Sequence, residues 1–381
     1  MALKTSRRAA IDPFIVMEVM RAANERAAEG GDVLHMEVGQ PSTPAPRKVL
    51  EAAKQALDSH LIGYTDALGL PALRQRIAGH YRDFYGEDVP AARIAVTTGS
   101  SGGFLLSFLA AFDPGDRVAL AMPGYPCYRH ILTALGLEPV LIETHAATKF
   151  QPTIADLEAV AGKLDGLIVA SPSNPVGAVL PSAELTAIAQ WCARKGVRLV
   201  SDEIYHGITF GAPAATAAKL DGAIVINSFS KYFSMTGWRL GWMVLPEDLV
   251  KPVERLAQNF FISAPALSQL GGIAAFDAHD ELQGNVARYA KNREILLNDL
   301  PIAGFDDLTT TDGAFYIYAN VARLTNDSLD FCRRMLSETG VAATPGIDFD
   351  PARGRHFMRF CFSGATADMV EAARRLKEWR K

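Results

Sequence analysis

The sequence has little of what defines several large classes of protein. It has four cysteines in 381 residues and no C-x-x-C pair, so neither a disulfide scaffold nor a zinc ribbon is expected. The 38 Lys and Arg residues do not outnumber the 42 Asp and Glu residues. Without a surplus of basic residues, nucleic-acid binding is not expected as the main activity.

Long hydrophobic runs are also missing. The uncharged stretches 94–112 and 256–276 are interrupted by glycine and polar residues, whereas a membrane-spanning helix needs about 20 mostly apolar residues. The basic residues Lys4, Arg7 and Arg8 have no apolar run behind them, so no secretory signal is expected. We therefore predict a cytoplasmic protein that neither crosses nor binds a membrane.

Several catalytic motifs are absent as well. No G-x-G-x-x-G opens a helix after a strand, and neither G-x-x-x-x-G-K-[ST] nor H-E-x-x-H occurs. These absences argue against dinucleotide-binding, P-loop and zinc-protease functions. The eight histidines are scattered along the chain, and no metal site is predicted.

Short apolar runs alternate with amphipathic helical segments between about residues 90 and 245. The predicted strands are Ile94–Thr97, Arg117–Ala121, Pro139–Ile142, Gly166–Ala170, Arg198–Ser201, Ala223–Asn227 and Gly241–Leu245. Runs this rich in Val, Ile and Leu are typical of strands that are buried on both faces. We therefore predict an α/β fold with a mostly parallel seven-stranded sheet sandwiched by helices, plus a smaller α+β domain.

The pattern differs at the two ends of the chain. Near the N-terminus, Asp12 and the following proline are typical of a helix N-cap and first helical position. After residue 280, a long charged helix is predicted over Glu281–Leu300, followed by strands over Gly313–Ala319 and His356–Ser363 and a charged terminal helix over Ala367–Lys381. We predict a large domain over residues 40–280 and a small domain formed by residues 1–39 and 281–381.

Polar residues follow the predicted strands, at the edge where α/β sheets bind ligands. In S-F-S-K-Y-F-S-M-T-G-W-R-L-G, Lys231 comes just after the run Ala223–Asn227. A partly buried lysine beside cations has a lowered pKa and is suited to Schiff-base chemistry. Ser228, Ser230 and Arg239 are donors of the kind that bind phosphate. A solvated polar loop is the alternative interpretation.

Two further strand ends carry residues of the same kind. Asp202 follows a predicted strand in S-D-E-I-Y, with Tyr205 three residues later. A carboxylate at this position can keep a heteroaromatic ring nitrogen protonated. The alternative interpretation is that Asp202 caps the next helix. Asn174 follows another strand in S-P-S-N-P-V-G, where a simple turn residue is the alternative.

Together these segments resemble the pyridoxal 5′-phosphate (PLP) aminotransferases of fold type I, class I/II, which is the aspartate aminotransferase family. The motifs appear in family order, Arg239 lies eight residues after Lys231, and the resemblance runs from about Ile11 to the C-terminus. One departure is Val176, which stands where the family usually has threonine in N-P-T-G.

The resemblance implies a role for each residue. Lys231 would form the aldimine with PLP and then act as the general base that moves the substrate proton. Asp202 would bind the pyridinium nitrogen, and Asn174 and Tyr205 the phenolic oxygen of the cofactor. Tyr125, in P-G-Y-P-C-Y, would stack on the cofactor ring.

The resemblance also implies a phosphate site that is shared between two subunits. Its residues would be Ser100, Ser101, Gly102, Ser228, Ser230 and Arg239, the first three in a glycine-rich turn before a helix. Tyr64, in G-Y-T-D-A-L-G, would reach the phosphate in the partner subunit's site. We therefore predict a homodimer with shared active sites.

Arg359 lies in the alternating segment F-M-R-F-C-F, flanked by apolar residues on a predicted buried strand. An unpaired charge there is costly, and a substrate α-carboxylate would supply a bidentate partner. The resemblance gives Arg359 this role together with Asn174 and the backbone of Gly39. A structural salt bridge is the alternative.

The predicted activity is transfer of an amino group from an L-amino acid to a 2-oxo acid by a ping-pong mechanism. A PLP-dependent C–S β-lyase would use the same residues and is the alternative. A PLP-sensing regulator is disfavoured, because about 35 residues before Gly39 leave no room for a DNA-binding module. The motifs do not identify the substrate side chain.

Overall fold

The computed structural model describes residues 3–379, and these contain thirteen strands and twelve α-helices. The strands are β1 (Leu34–His35), β2 (Ile94–Thr98), β3 (Arg117–Met122), β4 (Glu138–Glu143), β5 (Gly166–Ala170), β6 (Arg198–Asp202), β7 (Ile224–Ser228), β8 (Leu240–Val244), β9 (Asp307–Leu308), β10 (Tyr316–Asn320), β11 (Val341–Ala342), β12 (Thr344–Pro345) and β13 (Phe357–Cys361). The helices are α1 (Ile15–Ala28), α2 (Arg47–Ser59), α3 (Pro71–Tyr85), α4 (Gly99–Ala111), α5 (Pro126–Leu135), α6 (Ile154–Glu158), α7 (Ser182–Lys195), α8 (Glu247–Phe260), α9 (Ala266–Ala275), α10 (His279–Ile302), α11 (Ser328–Thr339) and α12 (Thr366–Trp379).

The main sheet has seven strands in the order β2-β8-β7-β6-β5-β3-β4, and β8 runs antiparallel to both of its neighbours. The other pairs in this sheet are parallel. All seven strands predicted from the sequence agree with the structure to within one residue at each end. The predicted α/β fold with a mostly parallel seven-stranded sheet is therefore confirmed.

Both faces of this sheet are buried, which explains why its strands are apolar along their whole length. Along β5, Leu167 and Val169 belong to one hydrophobic cluster while Ile168 belongs to another. Side chains that alternate between two cores require helices on each face. Helices α3 and α9 contribute to the first cluster, and α4 and α8 to the second.

A second, antiparallel sheet has the order β12-β13-β10-β9 and lies in the C-terminal part of the chain. The short strand β1 pairs in parallel with β11, so the N-terminal segment packs against this part of the molecule. The strand predicted over Gly313–Ala319 begins later than expected, at Tyr316.

The first helix begins later than its sequence suggests. Phe14 is the N-cap of α1, and its side chain makes no capping hydrogen bond, so the predicted Asp12 cap is wrong. Asp348 supplies the acceptors instead, since its two carboxylate oxygens accept from the backbone N–H groups of Ile15 and Val16 at 3.2 and 3.1 Å. A carboxylate at a helix N-terminus is favourable because it satisfies unpaired donors.

The topology gathers polar residues at one edge of the main sheet. Asp202 and Ser228 end the parallel strands β6 and β7, and Asn174 follows β5 by four residues. Because β8 is antiparallel, its amino end lies at the same edge, and Arg239 immediately precedes it. This is the edge at which open α/β sheets bind ligands.

Candidate active site

Lys231 lies three residues after β7, with its amino group inside the protein. Its Nζ donates to the carbonyl oxygen of Gly39 at 2.5 Å and lies 5.7 Å from the centre of the Tyr205 ring. Burial lowers the pKa of Lys231 to about 8, and the guanidinium groups of Arg359 and Arg239 contribute in the same direction. A substantial neutral fraction near physiological pH is what a nucleophilic amine requires.

Asp202 ends β6 and is almost completely buried. One of its carboxylate oxygens accepts from the hydroxyl of Tyr128, and the other accepts from the Ile204 N–H at 3.1 Å. Burial raises the pKa of Asp202 to about 6. No arginine or lysine of the described residues 3–379 forms an ion pair with it. The carboxylate is therefore suited to a cationic partner from outside the chain.

Tyr205 follows Asp202 in a short irregular segment and is buried. Its hydroxyl lies 2.7 Å from the hydroxyl of Tyr316 on β10. The C-terminal sheet thus contacts the ligand-binding edge of the main sheet through a pair of tyrosines.

Arg359 lies in the middle of β13 and is 3% exposed. Its Nη1 donates to Oδ1 of Asn174 at 2.8 Å, and its Nη2 donates to the carbonyl oxygen of Glu37. The guanidinium carbon lies 4.2 Å from the ring centre of Tyr316 and 4.7 Å from that of Phe349. Its Nε has no partner in the protein, so the group retains capacity to bind a ligand.

The described residues do not form the structural salt bridge that was the alternative interpretation of Arg359. Asn174 and a backbone carbonyl are neutral acceptors, and no carboxylate lies within ion-pair distance of Arg359 among residues 3–379. A buried guanidinium without a carboxylate favours an anionic ligand.

The predicted phosphate residues meet at the start of α4. This helix begins at Gly99, so Ser100, Ser101 and Gly102 lie in its first turn and not in a turn before it, which corrects the prediction. A side chain at Gly99 would place its Cβ 2.6 Å from Nη2 of Arg239, which shows how closely the guanidinium approaches the helix N-terminus. Free backbone N–H groups beside an arginine form an anion site.

Ser228 ends β7, and Ser230 follows it by two residues. The Ser230 N–H donates to the hydroxyl oxygen of Ser228 at 3.0 Å. A side chain at Gly241 would place its Cβ 2.9 Å from the Ser100 nitrogen. Glycine there lets β8 approach the helix N-terminus, together with Ser228 of β7, which pairs with Gly241.

Tyr125 and Tyr64, two of the predicted site residues, differ in how far they are exposed. Tyr125 immediately precedes α5, and its ring packs edge-on against Phe14 and Tyr128, with centroids 5.8 and 5.2 Å away. Tyr64 is 84% exposed. Tyr125 contacts Tyr128, which donates to Asp202, and so lies beside the site, whereas Tyr64 lies at the surface of this chain.

Sequence reasoning missed three residues that the structure places at the site. They are Tyr128, Tyr316 and Phe349. Tyr128 follows Tyr125 by three residues at the start of a helix, and that spacing places both on one face. The other two are brought in by the C-terminal part of the chain, and no local pattern signals their contacts.

The residues fit a phosphorylated pyridine aldehyde such as PLP. The buried carboxylate of Asp202 lacks a cation, which a protonated ring nitrogen would supply. The helix N-terminus beside Arg239 offers donors for a phosphate. Lys231 offers a partly neutral amine for an aldehyde. Such a donor set is what a PLP enzyme requires.

Among residues 3–379, no group of three or more His, Cys, Asp or Glu side chains is arranged to hold a metal ion. Within the same range, no helix is both long enough and apolar enough to cross a membrane. The four cysteines are free thiols.

Comparison with known proteins agrees with this class of enzyme. A sequence model of the family "Aminotransferase class I and II" matches residues 31–376. The valine–pyruvate aminotransferase of Mycobacterium tuberculosis is 51% identical, over 99% of this chain and 98% of that protein. The aspartate aminotransferase of Sulfurisphaera tokodaii is 32% identical, over 94% and 92% of the two chains.

Solved structures give the same result. An aminotransferase from M. tuberculosis has a TM-score of 0.97 and 50% identity, and the match covers 99% of each chain. Aspartate aminotransferase from Thermus thermophilus with maleate has a TM-score of 0.93 and 28% identity, covering 99% of this chain and 100% of that one. The chain belongs to the class I and II aminotransferase family.

The activity follows from this membership. The protein is a PLP-dependent aminotransferase, which moves an amino group from an amino acid to a 2-oxo acid. The resemblance found in the sequence is confirmed, and the comparisons favour transamination over the β-lyase alternative.

Proposed function

We propose that this aminotransferase uses a neutral aliphatic L-amino acid, with valine as the reference donor, and pyruvate as the acceptor. The observation that carries the proposal is the composition of the site around Arg359. Two cations, Arg359 and Arg239, lower the pKa of Lys231. Arg359 already binds Asn174, and Arg239 lies against the start of α4. With one guanidinium for the α-carboxylate and the other for the phosphate, neither is left for a carboxylate on the substrate side chain.

The surroundings of Arg359 support a neutral side chain. Its guanidinium lies between the rings of Tyr316 and Phe349, and Val176 belongs to the same buried cluster as Phe349. Apolar and aromatic walls favour an aliphatic group and disfavour a charged one, which would be desolvated without a partner. The 51% identical relative is a valine–pyruvate aminotransferase, whereas the aspartate aminotransferases are less similar, at 27–32%.

Each residue has a part in the proposed reaction. When bound, PLP supplies the electron sink that stabilises negative charge at the substrate α-carbon. Lys231 would hold the cofactor and, when free, would take the substrate α-proton on Nζ and deliver it to the cofactor. Asp202 would keep the ring nitrogen protonated, and Tyr205 and Asn174 would bind the phenolic oxygen. Tyr125 would stack on the ring.

Binding of the two anionic groups completes this assignment. Arg359, with Asn174 and the Gly39 backbone, orients the α-carboxylate and thereby sets the direction of the α-hydrogen. The phosphate would be held by the N-terminus of α4 and the residues beside it, which are Ser100, Ser101, Gly102, Ser228, Ser230 and Arg239. Fixing both ends holds the reacting carbon within reach of Lys231, which converts an encounter into an intramolecular step.

We also propose that the protein acts in the cytoplasm as a homodimer, and that its chain divides into a large domain (40–280) and a small one (1–39 with 281–381). An exposed apolar patch supports the dimer; it consists of Leu61, Ile62, Tyr64, Phe260 and Ile262. The two parts of this patch are joined where the Thr65 N–H donates to the Ser263 hydroxyl at 3.3 Å. A contiguous apolar surface of this kind is typical of a protein interface. In the dimer, Tyr64 would reach the partner's phosphate.

A donor panel tests the substrate proposal. Cofactor-loaded protein is mixed with single amino acids and no oxo acid, and the change in visible absorption is followed. Valine and alanine should convert the cofactor to its amine form at least about tenfold faster than aspartate, because a buried unpaired carboxylate is costly. Pyruvate should then restore the original spectrum.

Two results would contradict the proposal. Faster conversion by aspartate than by valine would show that a cation other than Arg239 and Arg359 binds the side-chain carboxylate. Release of pyruvate and ammonia from a donor with a β leaving group, at a rate above transamination, would revive the lyase.

A further inference from the structure

Tyr316 contacts three of the residues assigned above, although no motif pointed to it. It is 1% exposed, and its hydroxyl lies 2.7 Å from that of Tyr205. Its ring lies beneath the guanidinium of Arg359 at 4.2 Å. A Cβ at Gly39, whose carbonyl accepts from Lys231, would come within 1.7 Å of the Tyr316 hydroxyl. Glycine at position 39 therefore makes room for this phenol.

The single hydrogen of each tyrosine hydroxyl determines the direction of the hydrogen bond between Tyr205 and Tyr316. A phenol carries a single hydrogen. If Tyr205 donates its hydrogen to the cofactor's phenolic oxygen, its contact with Tyr316 persists only if Tyr316 is the donor. A hydroxyl that accepts one hydrogen bond becomes a stronger donor in the next. Tyr316 therefore orients the Tyr205 hydrogen toward the cofactor and strengthens the bond it makes there.

The ring of Tyr316 acts on the guanidinium of Arg359. Arg359 lies between two aromatic rings, and its Nη1 and Nη2 bonds go to Asn174 and the Glu37 carbonyl. An aromatic face stabilises a guanidinium by cation–π attraction and restricts it to a plane. Tyr316 provides one of these faces and so limits the orientations in which Arg359 meets a carboxylate.

We propose that Tyr316 is a positioning residue of this aminotransferase, with its hydroxyl setting the donor strength of Tyr205 and its ring setting the orientation of Arg359. The proposal rests on the residue roles given under the proposed function. One side chain would thereby couple the site that tunes the cofactor to the site that binds the substrate carboxylate. The two effects are separable, because one depends on the hydroxyl and the other on the ring.

Tyr316→Phe removes the hydroxyl and keeps the ring. A weaker Tyr205 donor leaves the phenolic oxygen more negative, so the Lys231 nitrogen should release its proton at higher pH. We expect the pH midpoint of the visible absorption of the loaded protein to rise by about 0.5–1 unit. The KM for valine should stay within about twofold of the wild-type value, because the ring contact with Arg359 remains.

Tyr318→Phe is the matched control. Tyr318 lies two residues along the same strand and is equally buried, but its hydroxyl has no hydrogen-bond partner in the protein. Its removal should leave the absorption midpoint and the KM unchanged. Tyr316→Leu removes both the hydroxyl and the ring and should also raise the KM for valine about fivefold to tenfold.

A midpoint in Tyr316→Phe that matches Tyr318→Phe, or that moves to lower pH, would overturn the inference. The comparison of Tyr316→Phe with Tyr318→Phe tests the inference even if Tyr316→Leu fails to fold, because phenylalanine preserves the shape of the core. The absorption midpoint requires only bound cofactor. Failure of the Tyr316 inference is therefore distinguishable from failure of the valine–pyruvate assignment, which the donor panel measures.

Discussion

The two ends of the proposed cofactor site differ in how far this chain completes them. At the ring end, Asp202 and Arg359 are each 3% exposed, and the groups around them come from strands of two different sheets. At the phosphate end, Arg239 and Ser101 are exposed, and Tyr64 is 84% exposed beside an apolar surface. The ring end is therefore buried within this chain, whereas the phosphate end has the exposed apolar surface that a second subunit would cover.

This difference separates two physical requirements. Reactions at the ring need a buried, dry environment in which charges act strongly and pKa values shift. Phosphate binding relies on backbone donors and strong charges, which remain effective close to solvent. A second subunit can therefore be added at the phosphate end without disturbing the reacting groups.

The largest loss is expected at the ring end, from Lys231→Ala. Removing the only group assigned to proton transfer should lower kcat by at least about 10³-fold. Lys195→Ala is the control and should keep full activity, because Lys195 lies on the surface of α7, where it contacts Glu158 and the Trp191 ring. Turnover of Lys231→Ala close to that of the control would refute the assignment of the base.

Asp202→Asn should have opposite effects on the loaded and the cofactor-free protein. Activity should fall about 10- to 100-fold with the loss of a charge-assisted hydrogen bond to the ring. The free protein should become more stable at pH 8, by about 1–3 kcal/mol, because a buried carboxylate with no cation is removed.

The sign of the stability effect follows from the pKa of Asp202, which burial raises to about 6. As the pH rises from the ordinary value of an aspartate toward 6, the unfolded chain loses its proton first, so the folded state is disfavoured. The gain from Asp202→Asn should therefore be larger at pH 8 than at pH 5 in denaturant unfolding. An equal gain at both pH values would show that charge is not the cause.

The smallest effect is expected at the phosphate end, from Tyr64→Phe. Loss of one hydrogen bond should weaken cofactor binding by about tenfold or less and leave the pH dependence of the absorption unchanged. Hybrid dimers of Tyr64→Phe and Lys231→Ala chains test the sharing directly. Each hybrid would have one intact site, and that site should bind cofactor with wild-type affinity. Weak binding in the hybrid would place Tyr64 in its own chain's site.

The main sheet was predictable to within one residue at each strand end because its strands are apolar throughout, a pattern that burial on both faces imposes. The site residues at its edge were predictable because the order of strands and motifs is contained in the chain itself. Asp202 ends β6, and Lys231 and Asn174 follow β7 and β5 by three and four residues, so correct strands placed all three at one edge of the sheet.

The remaining features depend on contacts that no local pattern encodes. Tyr316 reaches Tyr205 from 111 residues away, and nothing in G-A-F-Y-I-Y distinguishes it from Tyr318. The α4 start was misplaced because glycine and serine at 99–103 are typical of a turn, while packing against β7 and β8 makes them helical. The Asp12 cap was wrong because a distant carboxylate competes for the same donors.

That distant carboxylate has a consequence for assembly of the chain. Asp348 caps α1 across a separation of 333 residues, and the next residue, Phe349, packs on Arg359. During synthesis, the amino end of α1 emerges long before its cap exists, so this helix start is completed only when nearly the whole chain is available. Closure of so long a loop is slow relative to local contacts. Arg359 lies eleven residues beyond Asp348, so the proposed carboxylate-binding arginine and the cap of α1 are both added only after nearly the whole chain has been made.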